Sequence, residues 1–348
     1  MNSVCVVIAT PVEAELVARL QDVDERLDVQ FEPELLPPPR FPSDHRGTLD
    51  FKRSPQDEGR FGRLVESAEV LYGIPADTAE GLAWAVRTAP GLRFLQATAA
   101  GAGEQVRAAG LTRAELDRVA IASASGVHAV PLAEWSLFGL LAFTKGLPRL
   151  RRDAADRHWD HYPVDELRGR TLLVVGVGEI GAEVARLASA FGMRVVGVKR
   201  RVDEPVAHVE AVHPPEAIDG LVEQADAIVI TLPLTNETRG LISRQTIARM
   251  RDGAVVVNVG RGAVIDEDAL IDALVSGKLA GAALDVFTDE PLPESSPLWG
   301  LENVIISPHT AALSWHENER IIELFADNLR RYLRGAELRS RVLTSVFY

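Results

Sequence analysis

Hydrophobic positions in this chain cluster into short unbroken runs separated by stretches of helical period. Leu172 to Val175, Ala227 to Thr231, Ala254 to Val259, Ala282 to Val286 and Val304 to Ser307 read as strands buried on both faces, the mark of a parallel sheet. Helical stretches at Thr238 to Met250 and Glu267 to Ser276 fill the gaps. The first 130 residues alternate in the same way, with strands at Ser3 to Ala9, Val70 to Gly73, Leu92 to Thr98 and Val119 to Ser123, and helices at Val12 to Leu20 and Glu80 to Arg87. Between Phe31 and Arg63 the pattern fails. Pro33, Pro37, Pro38, Pro39, Pro42 and Pro55 stand among charges, which predicts an extended, irregular loop. Pro131 opens a helical pattern from Leu132 to about Arg157, read as a linker or dimerisation arm. An amphipathic helix, Trp315 to Leu333, is long enough to return to the first domain. The expected fold is α/β: two doubly wound parallel-sheet domains, Rossmann-like or flavodoxin-like, with a cleft between them. Residues 1–130 completed by 314–348 form the first and 131–313 the second.

Composition narrows the class. At 348 residues, 47% hydrophobic and 25% charged, the chain can bury two cores. Its longest apolar stretch, around Trp135 to Phe143, is far short of a membrane span, and the N-terminus enters a strand with no basic leader. A single cysteine, Cys5, leaves no intrachain disulfide and fits the cytoplasm. A net charge of −13 argues against nucleic acid as a partner.

The chemistry centres on Thr171 to Arg201. A buried-type strand runs into Gly176, Val177, Gly178, Glu179, Ile180, Gly181, and the period then turns helical. In a strand–turn–helix of this kind the first glycine permits the turn. The second lets the backbone approach a pyrophosphate, and the third lets helix and strand pack closely. A second strand, Arg194 to Val198, closes the unit. NAD-binding units usually place an acid after that strand, to hold the ribose hydroxyls. Here Lys199, Arg200 and Arg201 stand there, in a chain with only four lysines. Cations suit the 2′-phosphate of NADP, so NADP(H) is the expected cofactor, with NAD(H) also possible.

Three later segments put polar groups just past strand ends, where open α/β sheets bind ligands. They are Asn258 to Gly262, Leu284 to Pro291 and Ser307 to Ala312. If hydride moves between a nicotinamide and a substrate carbonyl carbon, a proton must reach the oxygen, and histidine suits that task. A carboxylate on the other ring nitrogen would orient it and favour its donating form. His309 is therefore the candidate general acid/base, Glu290 its partner, and Arg261 the anchor for a 2-oxo acid carboxylate. Asp285 would accept from the nicotinamide carboxamide. No metal is expected.

With those segments in view, the stretch from about Leu167 to His309 resembles the D-isomer-specific 2-hydroxyacid dehydrogenase family. It carries in order G-x-G-x-x-G, N-x-x-R-G, D-V-F-x-x-E-P and P-H-T. The similarity runs more weakly upstream through Ser125 to His128, Ala133, Glu134 and Trp159. The family's catalytic Arg, Glu and His fall on Arg261, Glu290 and His309. The resemblance also implies that Ala100 and Gly101 present N–H groups to the substrate carboxylate, and that Leu232, Pro233, Thr238, Val259 and Gly260 lie along the cofactor. It further implies a homodimer built on the long helix, and a first domain that binds substrate. Pro291-Leu292-Pro293 and the basic strand end are most similar to the glyoxylate/hydroxypyruvate reductase branch. The chain departs from the family at Gly103, at Lys199 and in the proline-rich segment. The expected activity is reduction of a small 2-oxo acid. Beside it stand a phosphoglycerate-type dehydrogenase and, in a different class, a dinucleotide-sensing co-repressor-like binding protein.

Overall fold

The computed structural model describes residues 3–344, which divide into two compact units: 3–128 with 313–344, and 129–312. The first unit contains β1 (Val4–Ile8), α1 (Ala14–Gln21), β2 (Leu27–Gln30), α2 (Pro55–Glu66), β3 (Val70–Tyr72), α3 (Ala79–Thr88), β4 (Phe94–Gln96), α4 (Ala102–Ala108), α5 (Arg113–Arg118) and β5 (Ala120–Ala122). Its strands form one parallel sheet in the order β2-β1-β3-β4-β5. Alternate residues feed opposite faces. Val7, Leu71, Leu95 and Ile121 pack into one core, and Val6, Ile8, Val70, Tyr72 and Phe94 into the other. A closing helix, Glu317–Leu333, supplies Ile321, Ile322, Phe325 and Leu329 to the second core. This helix belongs to the first unit.

The segment from Phe31 to Arg63 is not loop throughout. A 3₁₀ turn forms at Pro33–Leu35, and α2 begins at Pro55. Ser54 caps α2 by accepting from the Asp57 N–H, while Phe61, Leu64 and Val65 form its buried stripe. Proline at a first helical position starts a helix instead of breaking one. The remaining loop is folded on itself. Buried Asp44 accepts from Nε (2.7 Å) and Nη2 (3.1 Å) of Arg40 and from the backbone of Arg40 and Gly47. Hydrogen bonds from Arg40 outweigh burial and hold the Asp44 carboxyl down at about 2.

His45 joins this loop to the closing helix. Its Nε2 lies 3.5 Å from Oε1 of Glu317, and Nε2 of His128 lies 3.1 Å from the same oxygen. Burial would raise the Glu317 pKa, but the two imidazoles outweigh it and lower it from 4.5 to about 2. A carboxyl depressed on folding adds stability above its ordinary pKa and loses it as pH falls toward the folded value. The thermal midpoint of the protein should therefore drop between pH 4.5 and about 2, and Glu317→Gln should flatten that part of the curve. Circular dichroism melts across the window check this.

The second unit contains α6 (Ala129–Thr144), α7 (Leu147–Ala155), β6 (Thr171–Val175), α8 (Glu179–Ala190), β7 (Arg194–Val198), β8 (Ala211–His213), α9 (Ile218–Leu221), β9 (Ala227–Ile230), α10 (Arg244–Arg249), β10 (Ala254–Asn258), α11 (Glu267–Val275), β11 (Leu279–Leu284) and β12 (Val304–Ile306). The sheet is parallel, in the order β12-β11-β10-β9-β6-β7-β8. Strand order reverses beside β6, which makes the end of that strand a topological switch point. Leu173 and Val175 pack into one core and Leu172 and Val174 into the other, as expected of a sheet covered on both faces.

The single long helix expected from Leu132 to Arg157 is instead two, α6 and α7. Gly146 adopts the left-handed conformation (φ +69°) and Pro148 follows in the first turn of α7, which together end one helix and start the next. Similarly, the helix expected at Thr238 to Met250 is confined to α10.

Candidate active site

The glycine turn is built as its sequence requires. Gly176 follows β6 at φ +108°, a conformation L side chains rarely adopt. A Cβ on Gly181 would lie 2.2 Å from the Gly176 carbonyl oxygen, whereas one on Gly178 would meet nothing within 4 Å. Helix and turn are therefore pressed together at Gly181, and the backbone at Gly178 is open to a ligand. Gly178 is the N-cap of α8, with Glu179 and Ile180 in its first turn, so the free N–H groups of that turn can hold a pyrophosphate.

Leu232 packs against Gly176, and a Cβ on Gly260 would come within 2.5 Å of the Leu232 carbonyl oxygen. The ends of β6, β9 and β10 thus form one continuous edge carrying Leu232, Pro233, Val259 and Gly260. Thr238 braces that edge, its hydroxyl donating to the Pro233 carbonyl at 2.7 Å. Lys199, Arg200 and Arg201 follow β7. Lys199 is half-buried and the two arginines are exposed. Among the described residues none of the three forms an ion pair.

Register brings the remaining segments level. Asn258 pairs with Leu284, and Leu284 with Ile306, so β10, β11 and β12 end at one height. Asn258 is wholly buried and acts as a clasp. Its Oδ1 accepts from the Gly260 N–H at 3.0 Å and its Nδ2 donates to the Arg261 carbonyl at 3.1 Å. The Arg261 guanidinium donates to the Gly260 carbonyl at 2.8 Å. Gly262 abuts the Phe287 backbone so closely that a Cβ would lie 1.9 Å from its carbonyl carbon. Phe287 in turn donates its N–H to Oε1 of Glu290 at 3.0 Å.

The other oxygen of Glu290, Oε2, lies 2.7 Å from Nδ1 of His309. His309 has φ +53°, left-handed and unusual for a side chain of its size. Asp285 holds it there. The Asp285 carbonyl accepts from the His309 N–H at 2.9 Å. Its Oδ1 accepts from the Ser307 hydroxyl at 2.6 Å and from the Thr310 and Ala311 N–H groups at 2.9 Å each. The sequence assigns Asp285 only a cofactor contact, and it places Asn258 and Ser307 at the heads of their segments without giving either a role. Their signal is an Asn and a Ser at the ends of otherwise apolar strands, where a buried polar side chain needs backbone partners.

Ala100 and Gly101 lie in the first unit, past the end of β4, with Gly101 as the N-cap of α4. Ala100 is exposed and Gly101 partly so.

A parallel doubly wound unit, a glycine-rich turn at its switch point and an imidazole held by a carboxylate past a strand end define a dinucleotide-binding α/β protein. The chain belongs to the D-isomer specific 2-hydroxyacid dehydrogenase family, whose NAD-binding domain matches residues 137–311. It is 36% identical over 219 residues to D-3-phosphoglycerate dehydrogenase of Methanocaldococcus jannaschii, covering 62% of this chain and 42% of that protein. To glyoxylate reductase of Korarchaeum cryptofilum it is 42% identical over 173 residues, covering 49% and 51% respectively. The chain thus spans about half the length of these relatives. A D-isomer specific 2-hydroxyacid dehydrogenase from Xanthobacter autotrophicus Py2, solved in complex with NADPH and MES, superposes over 100% of both chains with a TM-score of 0.76 at 26% identity.

Proposed function

We propose that this protein is an NADP(H)-preferring oxidoreductase that interconverts small 2-oxo acids and D-2-hydroxy acids. The observation that carries the reading is the 2.7 Å contact between His309 and Glu290, in the unit that also bears the dinucleotide turn. The glyoxylate reductase relative and the NADPH-bound neighbour support the substrate and the cofactor respectively. The D-3-phosphoglycerate dehydrogenase relative favours a second substrate, 3-phosphohydroxypyruvate.

The chain fits the cofactor at several places. Gly176, Gly178, Glu179, Ile180 and Gly181 would hold the pyrophosphate, and Lys199, Arg200 and Arg201 the 2′-phosphate. Leu232, Pro233, Thr238, Val259 and Gly260 would line the path to the nicotinamide. The Asp285 Oδ1 is already taken by three donors, so Oδ2 is the oxygen left for the carboxamide. When bound, NADPH supplies hydride to the carbonyl carbon. Glu290 fixes the His309 ring through Nδ1, which leaves Nε2 to deliver a proton to the substrate oxygen, or to take one in reverse. Arg261 would grip the adjoining carboxylate, aided by the N–H groups of Ala100 and Gly101. The test is NADPH oxidation with glyoxylate, hydroxypyruvate, 3-phosphohydroxypyruvate and larger 2-oxo acids, in wild type and His309→Ala. Turnover indifferent to His309 would reject it.

The same reading includes a homodimer. α6 is apolar on nearly every side, and Val130, Phe138, Leu150, Trp159 and Val164 remain exposed in the second unit, a pattern that suits burial against another copy. Sedimentation at the mass of two chains is expected, and a monomer at assay concentration would count against it.

A further inference from the structure

Several polar groups have lost water without gaining a partner at one place in the first unit, the carboxyl end of its sheet. Thr10 just past β1 and Asn318 at the start of the closing helix are both buried, and among the described residues Thr10 Oγ1 and Asn318 Oδ1 have no hydrogen-bond partner. Buried polar atoms left in this state point to something absent that would satisfy them.

Asn318 also lines a groove of about 330 Å³, whose other residues come from the turn after β1 and from the proline-rich loop. Pro11, Val12 and Phe41 give it apolar walls. Asn318 is only 4% exposed, and its Nδ2 donates to Oε2 of Glu13 at 2.8 Å. A carboxylate can only accept, so the amide must turn its NH₂ toward Glu13, and its oxygen is left as an acceptor without a donor. The charges of the groove are equally specific. Arg40 is matched by Asp44 through two short contacts, which leaves the carboxylate of Glu13 as the unbalanced charge of the lining. A groove with apolar walls, an unbalanced carboxylate and, beside it, a buried amide oxygen that lacks a donor is complementary to a methylene chain with a cationic, multi-N–H tip.

Reach is consistent as well. β1 and β4 are separated by β3 alone, so their ends lie two strand spacings apart, about 10 Å. A ligand whose carboxylate meets the Ala100–Gly101 turn past β4 could extend an alkyl chain to Glu13 past β1.

We infer that this groove is the substrate side-chain subsite and that it takes 2-oxo acids whose far end bears a guanidinium or ammonium group. Glu13 supplies the opposing charge and Asn318 Oδ1 the second acceptor. The inference rests on the oxo-acid reading above and names the part of the substrate beyond the reacting carbons.

The test compares 5-guanidino-2-oxopentanoate with 2-oxooctanoate, whose tail is uncharged and of the same length, in wild type, Glu13→Gln and Val12→Trp. Wild type should favour the guanidino acid at least about tenfold in kcat/KM, the scale of one charge-assisted contact. Glu13→Gln should remove most of that preference. Val12→Trp, which fills the channel, should weaken both long acids relative to glyoxylate. Equal handling of the two acids, or a preference that survives Glu13→Gln, overturns the subsite while glyoxylate turnover leaves the enzymatic reading standing. If no oxo acid is turned over, the enzymatic reading fails, and calorimetric titration of the same two acids into wild type and Glu13→Gln decides the groove alone. Tighter binding of the guanidino acid, lost in Glu13→Gln, supports it, and no difference rejects it.

Discussion

His309→Ala is expected to lower kcat for 2-oxo acid reduction by about 10²- to 10⁴-fold, the usual worth of a positioned general acid. The affinity for NADPH should barely change, because the proposed cofactor contacts lie elsewhere: at the glycine turn after β6, the basic run after β7 and the edge formed by the ends of β9 and β10. Glu290→Gln should cost less. The amide can still hydrogen-bond to Nδ1 and keep the ring turned as it is, but it removes the negative charge that faces the ring. A ring-positioning role predicts that Glu290→Ala falls well below Glu290→Gln. Steady-state kinetics with all three variants test this order, and equal losses in the two Glu290 variants would show that charge matters and orientation does not.

The second large effect concerns the dinucleotide. Exchanging Lys199, Arg200 and Arg201 for Asp, Ser and Ser removes the cations proposed to hold the 2′-phosphate and restores an acid to the ribose. The ratio of kcat/KM for NADPH to that for NADH should fall by about 10²-fold or more, since a hydrogen bond to a charged group contributes roughly 1.5–3 kcal/mol and several are lost together. Folding should be indifferent, because among the described residues these three side chains have no ion-pair partner to lose. A cofactor ratio unchanged by the triple substitution would mean that the basic run is a solvated strand end.

Much of this molecule was legible from residue order because its strands announce themselves. Leu172 to Val175 and Ala254 to Val259 are continuous β-branched and aliphatic runs, and a glycine turn between a strand and a helix has few alternative meanings. The meeting of His309 with Glu290 is also readable, from two chemically complementary residues past the ends of neighbouring strands. Other features were hidden for physical reasons. Helix α2 is hidden because its proline belongs to a proline-rich, charged stretch with no clear period, although capping by Ser54 and acids in the first turn mark a start. The break between α6 and α7 depends on one left-handed glycine inside an otherwise helical pattern. The clasp by Asn258 and the anchoring of the His309 segment by Asp285 are set by strand register, which no local window contains. The convergence of His45 and His128 on Glu317 joins residues far apart in sequence, so local periodicity carries no trace of it.

The covering of one sheet face by Glu317–Leu333 has a consequence for biosynthesis. Everything the second unit needs is contiguous, and it can complete its core as soon as residue 312 has left the ribosome. The first unit is begun earlier but finished later. Until the last turns of that helix emerge, Val6, Ile8, Tyr72 and Phe94 lack their cover, so the unit begun before the other is completed after it.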